Sequence, residues 1–217
     1  MIINEATKIG ETDYYGFAFK LSPTWEFDES YRSGDKVDLN RVLICRFVTS
    51  FSDKDECGEN MKMYGVPGTA FWVQNDNLYT KLRWGSPCGD NGDDERRYKI
   101  GKVIPGQWHT VIFGAYWSQD KRGWFKVWYD KMLKVDVSNV HTFMQVDKRL
   151  FQMRIGLYPN WYIRDEAHPV IKEGLSKHRE IYFDKIAFGP SLQDVDPWKS
   201  SVGKDKFKFS LIDTEAD

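Results

Sequence analysis

Residues 151–158 (FQMRIGLY) alternate: Met153, Ile155 and Leu157 share one face of an extended strand, and Arg154, Gly156 and Tyr158 share the other. This period of two recurs along the chain and constrains its fold more than any other feature. It marks residues 14–21 (YYGFAFKL), closed by Pro23; residues 41–49 (RVLICRFVT), a largely apolar run, read as a second strand. Residues 70–74 and 78–84 read as a hairpin across Asn75-Asp76-Asn77. Residues 108–117 follow Pro105-Gly106, and 123–129, 132–137, 150–158 and 180–189 complete the set. About nine strands at this spacing, with no long helical period, predict an antiparallel two-sheet β-sandwich. Short helical turns fit only residues 27–36 and 170–178, and residues 85–95 and 159–179 read as long loops. The tail, residues 202–217, holds one alternating stretch, 206–211, suited to a sheet edge, and an acidic end expected to fray. No internal repeat is visible, so a single domain over 1–217 is expected, with its core at about residues 14–190.

A chain of 217 residues that is 41% hydrophobic has the material for one large sandwich core. Its 29% charged content, and the lack of an apolar run near the roughly 20 residues a spanning helix needs, give no reason to expect a membrane partner. The first eight residues, MIINEATK, have no basic region followed by a long apolar one. Either the protein is not exported by the usual route or an export signal is absent from this chain. A formal net charge of −1 and no basic stripe disfavour nucleic acid. Oligomeric state is not legible.

Aromatic residues make up 16% of the chain, nine of them Trp. Trp and Tyr on strand faces suit sugar stacking, and they equally suit the filling of a large core. Cys45 reads as a buried hydrophobe in its strand. Cys57 and Cys88 sit in Gly- and Asp-rich loops, where pairing in an oxidising compartment and free thiols are equal alternatives.

Candidate binding residues follow from the strand faces. Arg154 and Tyr158 place a cation and a phenol in a row, fit for an anionic sugar and equally for an ordinary polar face. Lys81 and Arg83 share one face of their strand, and Lys126 lies between Trp124 and Trp128 on another. Together they would line a groove with cations and flat rings, suited to an acidic polysaccharide; a solvated face with Trp covered by Lys stems is the alternative. The four His form no ligand set: His109 belongs on the core or rim, His141 begins a loop, and His168 and His178 flank the long loop after Tyr158. Asp90, Asp93, Asp94 and Glu95 are of the type a structural calcium ion takes. They lack calcium-loop spacing and adjoin Arg96-Arg97, so a solvated loop is the better reading, with no metal and no cofactor expected. No P-loop, dinucleotide glycine motif or Ser-His-Asp order is present.

Several segments together resemble the jelly-roll polysaccharide lyases of the concanavalin-like type, the group that includes glucuronan, alginate and heparin lyases. YYGFAFKLSPTWEFD resembles their opening strand and proline, and NDNLYTKLRW their inner hairpin. PGQWHTVIFGAYWSQDKRGWFKVWYDKMLKV resembles the Gly-x-Trp strand and the Trp-bearing strand after it. MRIGLYPNW resembles the Lys-x-Gly-x-Tyr strand, and EIYFDKIAFGP the closing strand. The resemblance covers most of residues 14–190 and implies a concanavalin-like β-jelly roll.

In the resembled enzymes a Tyr on the concave sheet takes the C5 proton of a uronic acid and protonates the leaving oxygen, while a Gln, Asn, Arg or His neutralises the carboxylate. Tyr158 matches that Tyr, and Arg154 stands where the family has Lys. Where the family often has Gln-x-His, this chain has Arg46 and Val48, and the early Arg-x-Glu motif is reduced to Asn4-Glu5. A phenol titrates at about 10 when unperturbed, so a Tyr base needs cations nearby.

The resemblance implies a lyase that cleaves a uronate-containing polysaccharide by β-elimination. Tyr158 would be its acid/base, Arg46 or Arg154 its neutraliser, and Lys81, Arg83, Trp124, Lys126 and Trp128 its groove, the last three because the family puts that Trp strand on the concave sheet. A non-catalytic glycan-binding or structural module on the same fold is the alternative, favoured by the absent His and the lack of a signal peptide. A glycoside hydrolase comes last, because no strand carries a Glu-x-Asp-x-x-Glu set. The family is mostly secreted or surface-associated.

Overall fold

Residues that alternate in this way build sheets. The computed structural model describes residues 1–3, 7–27, 41–49, 68–85, 94–143, 151–159, 179–197 and 207–211. Expectations at Asn4-Glu5, Cys57, Cys88, Asp90, Asp93, His168 and His178, and both helical turns apart from Phe27, lie outside them.

The strands are β1 (Ile2–Ile3), β2 (Thr12–Leu21), β3 (Arg41–Thr49), β4 (Thr69–Gln74), β5 (Asn77–Trp84) and β6 (Asp94–Lys102), then β7 (His109–Tyr116), β8 (Gly123–Tyr129), β9 (Met132–Val140), β10 (Phe151–Pro159), β11 (Arg179–Gly189) and β12 (Phe207–Leu211). They form two six-stranded sheets, ordered β1-β10-β3-β4-β5-β6 and β12-β11-β2-β7-β8-β9. Every pairing is antiparallel. The late strands β10 and β11 insert beside the early strands β3 and β2, one in each sheet. The result is a jelly-roll sandwich, as the resemblance implied.

Turn chemistry sets the local register. Asn75 takes φ 52° in the two-residue turn between β4 and β5. Asp130 and Lys131 take φ 48° and 72° between β8 and β9, the doubly left-handed turn that matches strand twist. One expectation fails here. The sequence predicts a loop over 85–95 and no strand between it and residue 108, yet β6 begins at Asp94. Its sequence, DERRYKIGK, is mostly charged because it closes the edge of its sheet, where charge suppresses pairing with other chains.

Aromatic rings fill the space between the sheets. Phe113 of β7 stacks on Tyr15 of β2 at 4.8 Å and meets Phe71 of β4 at 4.9 Å and Phe47 of β3 at 5.6 Å. Phe17, Phe19, Phe125 and Phe183 are fully buried beside them. His109 joins this core, stacked on Tyr129 at 5.3 Å. The Ile104 N–H donates to its Nε2 (3.0 Å), so Nδ1 carries the proton and donates to Asp130 Oδ2 (2.8 Å).

On the outer face of the second sheet, buried Val195 brings its carbonyl directly over Gly16. A Cβ at Gly16 would overlap that backbone oxygen, which no side-chain rotation relieves. Gly16→Ala is therefore expected to cost about 1–3 kcal/mol. The cost is read as a lower urea midpoint with an unchanged slope.

Candidate active site

The core decides which side chains face outward. On β10, Met153 and Ile155 are buried in the core, so Gln152, Arg154, Gly156 and Tyr158 face away from it. On β3 the alternation breaks, because Ile44 and Cys45 are both core residues. That irregularity leaves Leu43 and Arg46 outward together. The β3–β4 register shifts there, between Leu43 and Cys45, and the β3–β10 register shifts between Ile155 and Tyr158. Two bulges side by side open a depression of about 260 Å³ lined by Leu43, Arg46, Arg154, Gly156 and Tyr158 among others. Gly156 faces it without a side chain.

Three groups singled out in the sequence converge here. Arg154 and Arg46 are direct cross-strand partners. The Arg46 guanidinium lies 4.1 Å from the centre of the Tyr158 ring. Arg154 donates from Nε (3.2 Å) and Nη2 (2.7 Å) to Gln152 Oε1. Burial, and then the charge of Arg46, hold Arg154 below the ordinary arginine value. Two cations facing each other beside a phenol make a site that favours an anion between them.

The register continues across the sheet, from Arg46 to Ala70, Lys81 and Arg97. Lys81 and Arg83 thus share the site's face, but they are buried, at 7% and 5% exposure. The Lys81 ammonium reaches Glu95 Oε2 at 2.6 Å, and Arg97 binds the other oxygen of Glu95. Glu95 is therefore part of an ion-paired strand rather than of a solvated loop. Burial lowers Lys81 and the Glu95 charge only partly restores it. Burial would raise Glu95, but Lys81 and Arg97 hold it below the ordinary carboxylate range. At three strand spacings, about 14 Å, Lys81 is remote from Arg154.

Trp124, Lys126 and Trp128 do not belong to this face. β8 lies in the second sheet, and its Phe125, Val127 and Tyr129 enter the core. Trp124, Lys126 and Trp128 consequently point out of the opposite side of the sandwich. Trp124 packs on Tyr14 across Gly114, and Lys126 pairs with Asp136 at 3.2 Å. The alternation on β8 was legible; the sheet that receives β8 was not.

Sequence reasoning also passed over Gln152, whose signal was its position two residues before Arg154. It missed Arg41, whose guanidinium lies 5.3 Å from the ring of Trp72, itself stacked on Tyr79 at 5.7 Å. Among the described residues no group of three His, Cys, Asp or Glu side chains is placed to hold a metal ion.

A jelly-roll sandwich with a cationic, phenol-bearing depression on one sheet has the layout of a carbohydrate-active protein. Residues 1–187 match the family model described as polysaccharide lyase. Among solved structures the chain is similar to an endo-β-1,4-glucuronan lyase from the fungus Trichoderma reesei, at 26% identity and TM-score 0.70, over 92% of this chain and 77% of that one. It is also similar in fold to alginate lyase AlyC3, at 12% identity and TM-score 0.50, over 85% of this chain and 66% of that one. No curated protein matches it. The chain belongs to the polysaccharide lyase family, the carbon–oxygen lyases that act on polysaccharides.

The Lys81–Glu95 pair has a stability signature. The folded-state value of Glu95 lies below its ordinary 4.5. Its contribution is therefore present above that value and is lost as the pH falls through the folded value. Glu95→Gln, which leaves Lys81 buried without its counter-charge, should cost about 3 kcal/mol near neutral pH. Urea midpoints measured against pH should show the gap between wild type and variant closing in acid.

Proposed function

We propose that this lyase cleaves a uronate-containing acidic polysaccharide by β-elimination, with Tyr158 as both base and acid and Arg46 and Arg154 as the carboxylate clamp. The observation that carries the proposal is the Arg46 guanidinium held 4.1 Å from the Tyr158 ring, with Arg154 in register beside it at a depression. The glucuronan lyase likeness supports a uronate substrate.

Abstracting the C5 hydrogen of a uronate places negative charge on the carboxyl group, and two guanidinia set in advance around that group lower the cost. Tyr158 enters the cycle without its proton and takes the one on C5. The C5–H electron pair moves into the carboxylate and returns to form C4=C5 as the C4–O bond breaks. The phenol then passes its proton to the departing oxygen, which restores the starting state. Side chains supply every step, so the proposal invokes no cofactor.

A guanidinium does not give up its proton at ordinary pH. On this reading the phenol of Tyr158 serves both transfers, and the C5 hydrogen and C4 oxygen must then lie on the same side of the ring. Glucuronate and mannuronate meet that condition; guluronate and galacturonate do not.

Ultraviolet absorbance of the conjugated product tests this on glucuronan, alginate blocks, heparin-type chains and pectate. Product is expected from glucuronate- or mannuronate-containing chains and not from pectate. Tyr158→Phe should reduce kcat at least about a hundredfold with glycan affinity nearly intact. A flat wild-type trace across the panel would sink the proposal, and loss of affinity together with turnover would make Tyr158 a structural residue.

A further inference from the structure

Cations on the site's face are treated in two ways. At the β5–β6 end, Lys81 and Arg97 share the carboxylate of Glu95. At the β10–β3 end, Arg46 and Arg154 form no ion pair with any described residue, although they face each other in register. What holds Arg154 is an amide. Gln152 and Arg154 lie two apart on β10, both outward, and Oε1 of Gln152 accepts from Nε at 3.2 Å and Nη2 at 2.7 Å. Because arginine only donates, the amide must present its oxygen here, and its NH₂ group is turned away.

We propose that Gln152 is a positioning residue of the lyase site, fixing the Arg154 guanidinium toward the substrate carboxylate while leaving its charge intact. This inference rests on the uronate reading above. A side chain that grips one flank of a guanidinium without charge keeps the remaining N–H groups free for a ligand. A carboxylate of the same length would grip harder but cancel the attraction for an anion, as Glu95 does for Lys81. Holding two like charges face to face also costs free energy in the empty site. An anionic sugar bound between them recovers it, so the strain favours binding. Glutamine reconciles the two demands: it orients one cation of the pair and adds no counter-charge.

The test uses the full chain and whichever polyuronate the wild type turns over. Gln152→Glu replaces the amide by a carboxylate and keeps the shape. It should melt at the wild-type temperature or above, because the introduced carboxylate pairs with Arg154. Its KM should rise at least about tenfold, the scale of one lost charge-assisted contact. Gln152→Ala releases Arg154 but leaves its charge, so kcat should fall about tenfold with a smaller change in KM.

Wild-type kinetics in Gln152→Glu overturn the inference and leave the uronate reading standing. A fall in melting temperature that tracks the activity loss in both variants also overturns it, since a structural strut behaves that way. A wild type that yields no product on any polyuronate removes the uronate reading, and this inference with it.

Discussion

Each strand of a two-layer sandwich has one face to give to the core, and here large rings occupy that face. Phe113 touches Tyr15 within its own sheet and Phe47 and Phe71 from the other. Sheets about 10 Å apart accept such rings only when both inner faces are in phase. Slipping one strand by a single residue would turn Arg46, Arg154 or Lys81 inward and put Phe47, Met153 or Leu82 into water. The loss of several buried apolar side chains, about 1.5–3 kcal/mol each, together with an unpaired buried cation, makes that slip prohibitive. The cationic face is therefore a consequence of the aromatic core.

One break in the pattern is as important as the pattern. Counting in twos outward from Leu43 would place Cys45 and Phe47 on the site's face and Arg46 in the core. The bulge at Ile44 and Cys45 sends two successive residues inward and reverses the phase of the rest of β3. Arg46 thereby comes to face Arg154 and to lie over Tyr158. The matching shift against β10 leaves outward-facing Gly156 without a directly opposed partner, and a depression opens where the strands part. Bulges re-aim side chains and interrupt pairing at some loss of ladder bonds. In this molecule two of them occur at the point where the three site groups meet.

Legibility in the sequence followed the physics that each feature depends on. The faces of β10 and β8 are local, set by alternation within nine or seven residues, and both were read correctly. Which sheet a strand joins is decided by long-range pairing, and that is where Trp124, Lys126 and Trp128 were misplaced. The run VLIC before Arg46 shows four apolar residues in a row, the only local trace of the bulge. β6 was missed because an edge strand displays charge in place of alternation. The Lys81–Glu95 pair was hidden with it, since it joins residues on two strands whose registration no local pattern reveals. Gln152 was in plain view, but its meaning depends on Arg154 carrying no acidic partner among the described residues.

Where the resembled family often has Gln-x-His, Arg46 stands at the Gln position and Val48 at the His position. On the proposed reading the loss of that histidine alters the chemistry in a definite direction. A histidine can relay a proton and gains or loses its charge near neutral pH, whereas a guanidinium does neither. Arg46 and Arg154 therefore offer, on the proposed reading, a fixed positive field, and the proton is moved by another group, the phenol of Tyr158. On the proposed reading, acid–base work and charge stabilisation are then divided between different side chains. The clamp keeps its charge throughout the pH range in which the sandwich is folded. The division also explains why Arg154 is held by an amide. Where the cations stay protonated throughout, their geometry and net charge are what the surrounding chain can tune, and Gln152 constrains the first without changing the second.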